Sequence, residues 1–235
     1  MAMAQLRQFP FARTRPLPEV RYVRAPEPID FPVEAMMPES KTHLILRTFL
    51  FRLLRFALGP GHRVGSDQFL YWNAADARRC LAPDAVVRLH VPDAAFKTWK
   101  TWEEGGVPDL AVEFVSDSDR RQWSDKLADY RELGIKELVR FDPSAPPGAR
   151  LRVWDRVPEG DFVERVISGD TAPSVTLGLH WLVSRVETEE VGLRLADDDG
   201  RLVEVPEEAA ERGRAVAEAR VRELEERLGL AKKPL

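Results

Sequence analysis

Glu113 stands inside the apolar run of residues 110–115, LAVEFV. A carboxylate in a strand of that composition is costly unless it is paired, protonated or bound to a metal. Three Pro-Asp steps supply candidate partners, at Asp84, Asp93 and Asp109. Asp109, Ala111, Glu113 and Val115 share one face of the strand, and Leu110, Val112 and Phe114 share the other. Asp109 and Glu113 are then roughly 13 Å apart along the strand. That is too far to share one cation, whose oxygen ligands lie about 2.0–2.6 Å from it, so Asp109 reads as the residue that opens the strand. Asp84 introduces a separate strand, which, laid beside the first, can meet Glu113 across the sheet at about 5 Å. Two converging carboxylates are the hard oxygen ligands that Mg²⁺ or Mn²⁺ takes.

Lys126 supplies a third group. It falls on the helix after the strand, in the register Gln122, Lys126, Tyr130, from which it can lean back over the strand's C-terminal end. There it would orient an attacking water and offset charge developing on a phosphate; the plainer reading is a solvated helix lysine. Ser116 and Ser118 have no His–Asp partner nearby in sequence. His43, His62, His90 and His180 lack metal-ligand spacing, and neither standard Gly-rich phosphate loop occurs. Glu39, at a helix start, suits the helix dipole or points into the site. Residues 197–200, DDDG, lack the full calcium-loop register and read as a turn.

The elements that must position these groups form a strand–helix–strand unit over residues 107–143. Its helix carries Trp123, Leu127, Tyr130 and Leu133 at helical spacing, Gly134 ends it, and residues 135–141 form the next strand. Upstream, Pro38-Glu39-Ser40 starts a helix with Leu44, Thr48, Phe51, Leu54 and Leu58 on one face, stopped by Gly59-Pro60-Gly61. Strands are expected over 62–72 and 81–90, then a loop over 92–106. Downstream, 151–157 and 161–167 make a hairpin about residues 158–160. Short strands continue through Val175 and Trp181, and residues 191–194 and 201 flank a further hairpin. A charged helix over 206–230 carries the short seam Ala217, Val221, Leu224, Leu228 and i,i+4 pairs such as Glu218–Arg222. That helix packs on the body or on a partner.

Residues 1–36 hold six prolines among scattered aromatics, which excludes a regular helix and leaves a leader or an extended arm. The expected organisation is an arm over 1–36, one domain over 37–205 and a terminal helix over 206–235. A net charge of −4 gives no global signature of nucleic-acid binding. Residues 41–100 nevertheless hold ten Lys or Arg against four acids, which would make a basic face or a solvated surface. Cys80 is the single cysteine, so no disulfide forms within the chain and a reducing, cytoplasmic setting is expected. The N-terminus lacks the apolar segment of a signal peptide. Residues 44–58 are too short, and too interrupted by arginine, to span a bilayer.

PDLAVEFVSDS, the Asp125-Lys126 step, Tyr130, the GIKEL run and FDP together resemble the signature of the Uma-two family of endonucleases, in the PD-(D/E)xK restriction-endonuclease-like superfamily. The resemblance runs from about residue 38 to about 167. It implies an α/β fold with a core of helix, three strands, helix, strand, to which this chain adds C-terminal strands and a terminal helix. It makes Asp84 the Asp of the motif and Glu113 its second carboxylate. The motif's lysine would fall at Val115; relatives of this type use a helix lysine, here Lys126. Gln122 stands where many relatives carry Asp, and Leu138-Val139 replaces a usual Tyr-Trp pair. The implied activity is Mg²⁺- or Mn²⁺-dependent hydrolysis of DNA phosphodiesters, with metal held by Asp84, Glu113 and the Phe114 carbonyl. A homodimer through the arm or the C-terminal helix is also implied. The rival expectation is a nuclease-like fold kept as a nucleic-acid- or protein-binding module without turnover.

Overall fold

The computed structural model describes residues 29–30, 39–116 and 121–227. Most of the proline-rich arm therefore lies outside the described residues. In chain order the elements are α1 (Lys41–Leu58), β1 (Arg63–Gly65), β2 (Leu70–Tyr71), β3 (Cys80–Leu81), β4 (Ala85–Arg88), β5 (Trp99–Lys100) and β6 (Leu110–Phe114). There follow α2 (Trp123–Leu133), β7 (Glu137–Phe141), β8 (Leu151–Arg156), β9 (Phe162–Glu164), β10 (Thr171–Ser174), β11 (Leu179–Val186), β12 (Glu189–Ala196) and α3 (Pro206–Arg227).

A six-stranded sheet in the order β1-β4-β6-β7-β8-β9 forms the centre. Within this sheet only β6 and β7 run parallel, as a strand–helix–strand crossover through α2 requires. The sequence α1, β1, β4, β6, α2, β7 is the expected helix, three strands, helix, strand, and the fold is α/β. Leu110, Val112 and Phe114 pack on the α1 side with Leu50, Leu53, Val139 and Trp181. Ala111 packs on the α2 side with Val86, Tyr130, Leu133 and Leu138. The period of two read from residues 109–115 thus divides the two cores.

Several details differ from the sequence expectation. The strands expected over 62–72 and 81–90 each break in two. Asp67 takes a left-handed conformation (φ 63°) after β1, and Pro83, without an N–H, separates β3 from β4. The pieces β2 and β3 leave the main sheet and, with β5, make a small sheet ordered β3-β2-β5. β5 lies in the expected loop because Trp99 is buried there. On α1 the buried stripe is Leu46, Phe49, Leu50, Leu53 and Leu54, while Leu44 is 47 % exposed. Apolar residues surround much of this helix, so spacing alone allows two stripes, and packing against β1, β4 and β12 selects one.

Residues 192–194 pair with β11 within a third sheet ordered β10-β11-β12, and the Asp-rich turn is closed by the bridge Ala196–Leu202 and by the bonds from Asp197 N to Arg201 O and Val203 N to Leu195 O. Glu137, fully buried on β7, joins this sheet to the central one. Its Oε2 accepts from Ser174 Oγ (3.1 Å) and Thr176 N (2.8 Å), and its Oε1 from Trp181 Nε1 (3.2 Å). No described residue of α3 is buried, so Ala217, Val221 and Leu224 of its seam do not pack on the body, and Leu228 lies outside the described residues. The arginines of α1 are neutralised: Arg47 pairs with Glu39, Arg52 with Glu187 and Glu207, and Arg55 with Asp93. Among the described residues no helix is long and apolar enough to cross a membrane.

Candidate active site

Asp84 stands one residue before β4. The antiparallel register pairs Ala85 with Val112, so one further step places Asp84 opposite Glu113 at the C-terminal end of β6. Both residues are buried. Asp84 Oδ2 accepts the Phe114 N–H at 2.6 Å, and Asp84 Oδ1 lies 2.6 Å from His43 Nε2. Glu113 Oε1 accepts from the Tyr130 hydroxyl at 2.5 Å, and Oε2 lies 3.0 Å from Lys126 Nζ. Asp84, Glu113 and Lys126 thus converge. Asp109 is remote, held at the other end of β6 by Arg88, Lys136 and the Leu89 amide.

Local structure explains the convergence. Ser40 caps α1 by accepting from the His43 amide, which sets the first turn of α1 beside the start of β4. The His43 ring then meets Phe114 edge-on, with centroids 5.9 Å apart, and points its Nε2 at Asp84. Glu39 lies 3.7 Å from the same nitrogen. On the other face of the sheet, Lys126 and Tyr130 are one helical turn apart on α2 and both reach Glu113.

Burial pushes the Glu113 carboxyl up from 4.5 to about 7; Asp84 adds to the rise, while Lys126 and Tyr130 oppose it. Burial also drives the Tyr130 hydroxyl well above its ordinary value. The hydrogen bond to Asp84 raises the His43 imidazole, against burial. A carboxyl that titrates near neutrality beside a lysine is a common device of acid–base and metal chemistry.

Among the described residues no three His, Cys, Asp or Glu side chains come together as a ready-made metal cage. The donor set nevertheless suits Mg²⁺, which is usually bound by one or two carboxylates and completed by water and substrate phosphates. Each carboxylate oxygen of Asp84 and Glu113 accepts one bond and keeps a further lone pair. Phe114 presents its N–H to Asp84, and along a strand the carbonyl of the same residue leaves from the same edge. That carbonyl is the third oxygen at this end of β6.

A family model described as "Uma2: Putative restriction endonuclease" matches residues 26–187. The chain belongs to the Uma2 family. The fold is also similar to the crystal structure of a "putative nuclease belonging to DUF820 from Anabaena variabilis ATCC 29413". That match has 14 % identity over 60 % of this chain and 76 % of that one, with a TM-score of 0.43. Among curated proteins none matches. Membership assigns this Uma2 chain to a nuclease family.

Two site residues of this Uma2 protein escaped the sequence reading. His43 was set aside because no other histidine lies at ligand spacing, and its partner Asp84 is 41 residues away. No local signal links them. Tyr130 was legible in principle, since it lies four residues from Lys126 on the same helical face.

Proposed function

We propose that this protein is a Mg²⁺-dependent endonuclease, able to use Mn²⁺, that hydrolyses DNA phosphodiester bonds. The observation that carries the reading is the buried Glu113, bound by Lys126 and set opposite Asp84 at one strand end. Asp84, Glu113 and the Phe114 carbonyl would hold the metal, which supplies Lewis-acid activation of water and phosphate. Lys126, at the rim of the pair, orients the attacking water and faces the charge that builds on the phosphoryl oxygens. Tyr130 holds Glu113 in one rotamer, and His43 does the same for Asp84, so neither carboxylate must reorganise during the reaction. The single Cys80, which can form no disulfide within the chain, favours a reducing setting such as the cytoplasm.

The test is cleavage of supercoiled plasmid DNA and of an RNA control in Mg²⁺, comparing wild type with an Asp84→Ala, Glu113→Ala double variant of equal circular dichroism. Undiminished cleavage by the double variant would overturn the proposal. DNA binding in EDTA with no turnover in Mg²⁺ or Mn²⁺ would instead assign a non-cleaving binding module.

A further inference from the structure

Helix α3 has a fixed base and an uncovered shaft. At the base, the Arg194 side chain is only 7 % exposed, and its Nη1 and Nη2 atoms donate to Glu208 at 2.8 and 2.7 Å. Glu208, the third residue of α3, also reaches back to accept the N–H of the buried Val205 at 3.1 Å, the return half of a capping box. Arg52 of α1 pairs with Glu207, and Arg212 with Glu204. Beyond this anchor, every residue from Ala210 to Arg227 is exposed. That stretch is about 27 Å long.

The shaft nevertheless carries an apolar stripe. Val221 is 53 % and Leu224 41 % exposed, and both continue the line of Ala210 and Ala217, with spacings of seven, four and three residues. In a heptad Val221 is then an a residue, and Ala210, Ala217 and Leu224 are d residues. A β-branched residue at a with leucine at d favours two parallel strands. The same register puts Glu211, Glu218 and Glu225 at e, and Arg220 and Arg227 at g.

These charges select the partner and its direction. In a parallel pair, g of one heptad faces e of the next on the other helix, so Arg220 meets Glu225 of the partner subunit, twice by symmetry. In an antiparallel pair e faces e and g faces g, which sets glutamates against glutamates and arginines against arginines. Arg220 and Arg227 both touch Glu223 of their own helix, at 2.5 and 3.8 Å. Those are exposed contacts screened by water, and each guanidinium keeps further donors. Among the described residues Glu225 pairs with no cation. Arg214 falls at an a position between Ala210 and Ala217, where its stem has room to run out to water. A polar group at one a position lowers stability and fixes register.

We propose that α3 is a self-association helix, whose seam of Ala210, Ala217, Val221 and Leu224 packs on the same seam of a second copy of this chain as a parallel, two-stranded coiled coil. The two-fold axis runs along the helices, and both bodies lie at the same end. The anchored base holds the helix ready, so little ordering is lost on pairing. A seam this short covers less than the standard interface of about 1,600 Å². The dimer is therefore weak and depends on concentration, with a Kd between about 1 µM and 1 mM.

The test is analytical ultracentrifugation of the full-length protein in EDTA without nucleic acid, from about 1 µM to about 1 mM. The mass should rise from that of one 26.7 kDa chain towards that of two. Leu224→Glu should raise the Kd at least about tenfold. Leu224 is uncovered in the single chain, so this variant should keep the wild-type circular dichroism and thermal midpoint. Arg220→Glu and Glu225→Arg should each weaken pairing, and the two together should restore it, because the double variant only exchanges the charges across the seam. A monomer at every concentration, or a dimer indifferent to Leu224→Glu, would overturn the proposal. Pairing that strengthens in Arg220→Glu would overturn the parallel arrangement, since that change relieves repulsion only between antiparallel helices. None of these results bears on DNA cleavage, so the nuclease reading stands or falls separately.

Discussion

Replacing Glu113 by Gln should change how stability depends on pH, by an amount that follows from the burial of one carboxyl group. In the folded protein Glu113 releases its proton near pH 7, against 4.5 for an unperturbed glutamate. Between those values the folded chain keeps a proton that the unfolded chain has lost, so stability falls as pH rises. The contribution is fully present below about pH 4.5 and is lost once pH has passed about 7. At about 1.4 kcal/mol per pH unit, the gap amounts to about 3 kcal/mol. Glutamine keeps the shape and cannot ionise. Urea denaturation of both proteins in EDTA, from pH 4.5 to 8.5, should therefore show the stability of Glu113→Gln relative to wild type rising by about 3 kcal/mol. Taking the difference cancels the groups that do not interact with Glu113. Parallel curves would refute the reasoning, because they would mean that Glu113 titrates alike in the folded and unfolded chains.

Other substitutions probe separate contacts. Lys126→Met removes the cation that pulls the Glu113 pKa down, so a ¹³C carboxyl titration should find Glu113 shifted higher still, and plasmid cleavage should fall about 10²-fold or more. An unchanged titration would deny the contact. Glu137→Leu leaves the Ser174, Thr176 and Trp181 donors without an acceptor. At about 1–3 kcal/mol for each buried unmet group, urea denaturation should register a loss of at least about 3 kcal/mol. Gly192→Ala would set a Cβ 2.5 Å from Val186 Cγ2 and 2.7 Å from Val186 Cβ. A loss of about 1–3 kcal/mol is expected, and it should shrink in a Val186→Gly background, which removes both of those atoms; simple additivity in that double-mutant cycle would exclude the clash.

What the sequence alone determined is everything that depends on neighbours along the chain. A period of two assigned Glu113 to the same face as Ala111, and helical spacing aimed Lys126 back at the strand it follows. Gly134, left-handed at φ 90°, marked the end of α2. The Pro-Asp step at Asp84 was legible as a strand start, and a single crossover of about twenty residues forced β6 and β7 to run parallel. Tertiary structure decided the rest. Which stripe of α1 is buried depends on β12, some 140 residues downstream, because the helix is apolar on more than one side. The split of β1 from β2 follows from a second sheet that captures Tyr71 and Trp99, and that pairing leaves no periodic trace in such short strands. His43 reaches Asp84 only because α1 crosses the sheet at β4, and Arg140 reaches the Trp123 indole only because β7 lies beside β6. Such contacts join residues remote in sequence. Their energy comes from burial and hydrogen bonding between elements, and no local pattern of residue types records it.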